Sequence, residues 1–333
     1  MAGTIRTTMV GAAPLFFCFY IAACDGGGGS SGDDWRVEAP EQHGLSTSAL
    51  DSATDRIGRI GSRQCATVIK NGVLVHDKNF SGSAGSQNAA YSVTKTFGAA
   101  LVGIAVTQGF LTVDDPVTKW VPRPTGDISS GALVRHVLGQ TSESNPPGSR
   151  FSYNSGGVIN TLSAVVTAAT GMGADEYARI NLLEPVGMND TTWNGDSRGN
   201  VPFGAGIRSS CRDIAKLGLL LLNKGVWDGK QIISSEYVSQ MTRPSYPAAN
   251  SAYGYLTWLN ADGGNWRRPV SSGSGKMVKN APANMYAATG FFGQLIIVIP
   301  DDNMVVTTMG TTVQVETLDT LREVWDAILP ALP

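Results

Sequence analysis

The chain has 333 residues, with 25 Lys and Arg against 27 Asp and Glu and a formal net charge of −2. That length builds one large domain or two intimately packed lobes with ample core. A near-neutral balance with no basic stripe excludes nucleic acid as an expected partner. No His/Cys/Asp cluster has metal-ligand spacing, so neither a metal nor another cofactor is expected.

The N-terminus reads as an export signal. Arg6 precedes an apolar run from Met9 to Ala23, which is short for a membrane span and contains Pro14. The run ends in Ile21-Ala22-Ala23-Cys24, which resembles the bacterial lipobox, whose cysteine receives lipid. Residues 1–23 are therefore expected to be a signal peptide and Cys24 a lipidation site. An ordinary signal peptide cut nearby, or an uncleaved anchor, is the alternative. The Gly/Ser-rich stretch from Asp25 to Asp34 cannot bury anything and reads as a tether within a linker over 24–44. The expectation is an exported lipoprotein, anchored to a bacterial membrane on its periplasmic side.

The domain follows, over 45–333. Residues 46–61 are predicted helical, with Leu50, Ala53, Ile57 and Ile60 on one face. Cys65 to Lys70 and Val73 to His76 flank Asn71-Gly72, a strong hairpin signal. An apolar helix is predicted from Ser92 to Gly109. The middle, to about residue 245, reads as mostly helical with long loops, and Ile214 to Leu222 is apolar except for Lys216. Strands return at Tyr286–Gly290, Gln294–Ile299 and Met304–Met309, followed by a helix with Leu318, Leu321, Val324 and Ile328 on one stripe. Strands at both ends with helices between predict an α+β fold. One antiparallel sheet is built from both termini, and a helical lobe over roughly 92–245 is inserted in it. The Ser92 helix would start where the lobes meet, where pockets form. Cys65 and Cys211 remain once the leader is set aside, and either pair in an oxidising compartment or stay as buried thiols.

Ser92 and Lys95 lie three residues apart in Tyr91-Ser92-Val93-Thr94-Lys95, and no other lysine has Ser at that spacing. Three residues is just under one helical turn, so the side chains share a face. A serine hydroxyl attacks only when a neighbour takes its proton. Lysine can take it as the neutral amine, yet at a free pKa near 10.4 roughly one molecule in a few thousand is neutral at pH 7. Lowering that pKa by about 3 units takes roughly 4 kcal/mol, which burial and a helix N-terminus can provide. The plainer alternative is an N-cap serine followed by a surface lysine. Tyr153, in Pro147-Gly148-Ser149-Arg150-Phe151-Ser152-Tyr153-Asn154-Ser155, can relay protons if its hydroxyl reaches the pair.

With these motifs in order, the chain resembles the serine β-lactamase-like hydrolases. That family includes class C β-lactamases, D-alanyl peptidases, short-chain esterases and aminohexanoate-dimer hydrolases. Further matching stretches are Leu111 to Val117, Val134 to Leu138, Leu183 to Thr191, Ser209 to Ala215, and Ala288-Thr289-Gly290-Phe291-Phe292-Gly293-Gln294. The resemblance implies a β-lactamase/transpeptidase-like fold, Ser92 as nucleophile, Lys95 as its base and Tyr153 as relay. It also implies an oxyanion hole from the backbone N–H groups of Ser92 and Phe291, and a substrate wall from Ser155, Ala288, Thr289 and Gly290.

Three departures matter: Ala288 stands where relatives carry Lys or His, Ser155 where they carry Asn, and the loop before Pro146 is short. A missing cation removes an anchor worth roughly 1.5–3 kcal/mol for a substrate carboxylate. The expected substrate is therefore a small acyl ester or amide, with a β-lactamase or D,D-peptidase as runner-up. The reading from another class is a non-catalytic binding module on the same fold. Two G-x-S-x-G matches, at Gly28–Gly32 and Gly195–Gly199, lack the strand–turn–helix setting of a nucleophile elbow. A Ser-His-Asp triad would need His43, His76 or His136, and His136 reads as packing or capping.

Overall fold

The computed structural model describes residues 35–124, 127–154, 156–311 and 317–332. The expected signal peptide, the lipidation site Cys24 and the Gly-rich tether lie outside the described residues, and so does Ser155.

The chain opens with α1 (Thr47–Gly58), then β1 (Arg63–Lys70) and β2 (Val73–Asn79). Next come α2 (Thr94–Thr107), α3 (Gly157–Thr170) and α4 (Cys211–Leu222). The C-terminal part holds β3 (Trp258–Leu259), β4 (Asn265–Arg267), β5 (Ser272–Ser274), β6 (Tyr286–Gly290), β7 (Gln294–Ile299), β8 (Met304–Gly310) and α5 (Thr317–Ile328). Asn71 and Gly72 both take positive φ, 52° and 83°, the two-residue turn that the Asn-Gly signal specifies.

A six-stranded sheet runs in the order β2-β1-β8-β7-β6-β3. Its described neighbours pair antiparallel, with Cys65 opposite Met309 and Ala288 opposite Ile296. The first hairpin therefore docks onto the last strand, which makes both ends of the domain parts of one sheet. This is the α+β, β-lactamase/transpeptidase-like architecture. α4 lies against β1, β7 and β8, and Gly218 permits the approach: a Cβ there would sit 2.6 Å from Val305 Cγ1. α1 and α5 pack on each other and reach β1 and β6.

α2 is the element that carries the motif. Every residue from Thr94 to Ala105 is buried, the state expected of a helix apolar on all sides. Its glycines admit large neighbours: a Cβ at Gly98 or Gly103 would come within 2.5 Å of the Phe203 or Tyr237 ring. The predicted helix start is displaced, because Ser92 sits in a 3₁₀ turn (Tyr91–Val93) immediately before α2. Ser92 is thus not an N-cap.

The alternatives for the two cysteines resolve to a disulfide. Cys65 on β1 and Cys211 at the start of α4 are bridged, with Cα atoms 6.2 Å apart across a sequence separation of 146.

Candidate active site

The turn at Ser92 is forced by its neighbours. Tyr91 adopts φ 46°, a region costly for a bulky residue. It is held there by edge-on packing against Phe291 and Phe292, at centroid distances of 6.1 and 5.2 Å. The result leaves Ser92 partly exposed while Lys95, one turn on, is only 1 % exposed. Lys95 Nζ lies 2.9 Å from Ser92 Oγ and donates to Gly204 O at 2.9 Å. Burial lowers the Lys95 pKa to about 8. Roughly a tenth of the amine is then neutral at pH 7, several hundred times more than in water. The shift is somewhat smaller than full neutrality at pH 7 demands.

Gly204 is held from α3, whose Asn160 Oδ1 accepts from Gly204 N at 3.2 Å, and the residues just after it are held from α2 and the turn before it. Thr94 Oγ1 accepts hydrogen bonds from Gly206 N at 3.1 Å and Ile207 N at 3.2 Å, and Ala90 N donates to Ile207 O at 2.9 Å. Thr94, inside the Ser-x-x-Lys motif, and Ala90, just before it, thus anchor the segment that follows Gly204, whose carbonyl accepts from Lys95.

Tyr153 comes from the loop before α3. Gln140 organises that loop: its carbonyl accepts from Ser152 N at 2.9 Å, its Oε1 accepts from Asn154 N, and its Nε2 donates to Tyr253 Oη at 2.7 Å. The Tyr153 ring stacks on Trp258, with centroids 5.7 Å apart. Lys95 Nζ lies 4.9 Å from the Tyr153 ring centroid, and Tyr153 and Ser92 line the same cavity. Burial raises the Tyr153 pKa, partly offset by the Ser92 side chain and by the Arg268 charge. The phenol therefore keeps its proton at neutral pH and can donate it.

The strand β6 presses against the Ser92 turn at Gly290. A Cβ there would lie 2.5 Å from Ala90 O and 3.2 Å from Ser92 N, so only glycine brings the two backbones together. The peptide after it begins Phe291, 60 % exposed at the cavity mouth. Arg63, at the start of β1, clamps this turn: Nη1 donates to Gly293 O and Nη2 to Phe292 O, each at 2.6 Å. Burial lowers the Arg63 pKa to about 10, and the side chain stays charged at neutral pH. Nothing local in the sequence marks Arg63, which meets its partners only because β1 docks on β8.

A cavity of about 470 Å³ opens over these groups, lined by Ser92, Tyr153, Thr289, Gly290 and Phe291 among others. Ala288 is not among its lining residues: it is buried within β6 opposite Ile296, and its side chain stops at Cβ. The expectation of a substrate wall at Ala288 is corrected accordingly.

The expected absence of a cation near Thr289 is corrected too. Arg268, just after β4, donates from Nη2 to Thr289 Oγ1 at 3.3 Å and stacks over Trp258, 4.1 Å from the ring centroid. It lines the same cavity. Its one sequence signal is the chain's only Arg-Arg pair, Arg267-Arg268.

None of the three histidines is near the pair. His43 contacts Glu38 at 2.7 Å, His76 contacts Thr54 at 3.0 Å, and His136 Nδ1 accepts from Leu133 N at 2.9 Å. The Gly195–Gly199 stretch is a turn in which Asp196 accepts from the Arg198 and Asn200 amides.

A buried amine beside a partly exposed hydroxyl, on this sheet-and-helix scaffold, defines a serine hydrolase of the β-lactamase type. The chain belongs to the beta-lactamase family, whose family model matches residues 64–328. An uncharacterized protein of Alkalihalophilus pseudofirmus is 23 % identical over 247 residues, covering 64 % of this chain and 70 % of the relative. Among solved structures, a Bacillus anthracis protein assigned as a 6-aminohexanoate-dimer hydrolase is similar in fold. It superposes with a TM-score of 0.69 at 18 % identity, over 90 % of this chain and 88 % of that one. A family VIII carboxylesterase gives a TM-score of 0.67 at 13 % identity, over 86 % and 99 %.

Proposed function

We propose that this hydrolase cleaves small acyl esters or amides through an acyl-enzyme on Ser92. The observation that carries the reading is the Lys95 amine, buried and 2.9 Å from Ser92 Oγ. In the first step Lys95 takes the Ser92 proton as Oγ bonds to the carbonyl carbon, and the tetrahedral oxyanion faces the Ser92 and Phe291 N–H groups. Each such donor contributes about 3 kcal/mol to the transition state. Tyr153, kept neutral by its surroundings, passes a proton to the departing oxygen or nitrogen as the acyl bond breaks. Water then attacks the acyl-Ser92 ester with the same groups acting in reverse.

The cavity wall of Trp258, Val270, Phe291 and Phe292 supports an apolar acyl group. A second reading, a β-lactamase or D,D-peptidase, draws support from Arg268 beside Thr289, because such substrates present a carboxylate. The discriminating experiment compares turnover of a short p-nitrophenyl acyl ester with that of a chromogenic cephalosporin, using Ser92→Ala as the blank. Faster ester turnover is expected. The opposite ranking favours the carboxylate reading, and neither activity in folded protein favours the non-catalytic module.

We also propose export and lipid anchoring through Cys24. The Cys65–Cys211 disulfide supports an oxidising compartment. Metabolic labelling with a fatty acid is expected to mark the wild type and to spare Cys24→Ala, and equal labelling of both would remove the anchor from the account.

A further inference from the structure

Two segments that flank the proposed site meet at the Cys65–Cys211 bridge. On one side, Cys65 follows Arg63 along β1, and Arg63 holds the Phe292 and Gly293 carbonyls just after Phe291. On the other, Cys211 begins α4 directly after the segment behind Ser92. In that segment Ile207 O accepts from Ala90 N at 2.9 Å, and Ile207 N donates to Thr94 Oγ1 at 3.2 Å. Arg208 and Ser209 then pair antiparallel with Ala89 and Asn88, the residues that lead into the Ser92 turn. The bridge therefore joins the strand that steadies the Phe291 turn to the segment that steadies the Ser92 turn.

Arg63 lies past a break in its own strand. The β1–β8 register shifts between Arg63 and Cys65, and the Gln64 carbonyl turns away to accept from Phe80 N at 2.8 Å and Ser81 N at 3.2 Å. Such a bulge interrupts the ladder and bends the strand. Cys65 is the first residue after the break, and it is the one fixed covalently. Both half-cystines are buried, and adjacent threonines of β8 hold their backbones. Thr308 Oγ1 donates to Cys65 O at 2.7 Å, and Thr307 Oγ1 donates to Cys211 O at 3.0 Å. Arg212, beside Cys211, donates from Nε to Asp77 Oδ2 on β2 at 2.9 Å. These ties remain when the sulfur–sulfur bond is absent, so the bond adds precision of placement to segments that already adjoin.

We infer that the Cys65–Cys211 bridge is a positioning element of the catalytic site, setting the Phe291 N–H against the Ser92 N–H by locking β1 to the segment behind the nucleophile. This role rests on the acyl-enzyme reading above, because it is the oxyanion of that reaction that needs both donors at once. The bridge touches no substrate. It acts through Arg63, whose grip on the Phe292 and Gly293 carbonyls carries the position of β1 to the turn. Misplaced donors serve the transition state less while leaving ground-state binding of the ester nearly intact.

The test measures p-nitrophenyl acetate hydrolysis by the full chain carrying Cys65→Ser with Cys211→Ser, at a temperature well below the Tm of every protein compared. The expected result is a fall in kcat of roughly threefold to tenfold, with KM near the wild-type value. A cycle with Arg63→Ala reads the route. In the Arg63→Ala background, loss of the bridge should lower kcat by no more than about twofold. Should the serine pair not fold, Cys65→Val with Cys211→Ala, which keeps the space apolar, takes its place in the same cycle. An unchanged kcat, an effect on KM alone, or an equal loss of kcat in both backgrounds would overturn the positioning role while the acyl-enzyme reading stands. A folded wild type that does not turn over the ester would fail the acyl-enzyme reading, and the positioning role would fall with it.

Discussion

At the scale of single residues, function and stability oppose each other at Lys95. Its folded pKa, about 8, lies below the unfolded value of 10.5, so protonation disfavours the fold. The penalty is fully present below about pH 8 and fades as pH rises toward 10.5. Lys95→Met is accordingly expected to abolish turnover and to raise stability at pH 7 by on the order of 2 kcal/mol, read by denaturant unfolding. The base must be neutral to act, so kcat/KM of the wild type should climb with pH through about 8. A flat profile from pH 6 to 9 would remove Lys95 from that role. Arg63 is predicted to act on the rate without touching substrate, because it holds the carbonyls of Phe292 and Gly293. Arg63→Ala should lower kcat by about tenfold or more with little change in KM, since a slack oxyanion turn weakens the transition state selectively. Thermal unfolding of the same variant separates that effect from loss of fold. A KM effect alone would contradict the assignment.

Among the elements, legibility followed sequence separation. The Asn71-Gly72 hairpin, the stripe of α5 and the three C-terminal strands were readable because turn chemistry and periodicity are local. Ser92 and Lys95 were readable for the same reason, since one helical turn joins them. Gly204, Arg63 and Arg268 were not, because each reaches the site through a contact spanning 20 residues or more. Arg268 shows the limit most sharply: β6 lacks a cation in its own sequence, and the turn after β4 brings one beside Thr289. The start of α2 was misplaced because Tyr91 takes a positive φ that only the Phe291–Phe292 packing explains. The bridge between β1 and α4 belongs to this scale as well. Closing a loop of 146 residues is worth up to about 5 kcal/mol in the chain-entropy account. Replacing Cys65 and Cys211 by Ser should lower Tm by on the order of 5 °C or more, measured by calorimetry. An unchanged Tm would mean the cross-link constrains little of the unfolded chain.

For the whole molecule, the decisive feature is that one sheet is made from both ends of the chain. Joining β1 to β8 brings Arg63 under the oxyanion turn and sets β6 against the turn that begins α2. The proposed site is thus a product of closure, with Ser92 in the turn that leads into a buried helix and Phe291 just past the end of a sheet strand. The proposed activity requires Ser92 to be made nucleophilic by the Lys95 amine 2.9 Å from its hydroxyl. The most direct measurement is intact-mass and peptide analysis after exposure to a fluorophosphonate. One adduct on the peptide containing Ser92 is expected, absent in Ser92→Ala and strongly slowed in Lys95→Met. A folded wild type that takes no label, or takes it on another residue, would contradict the account.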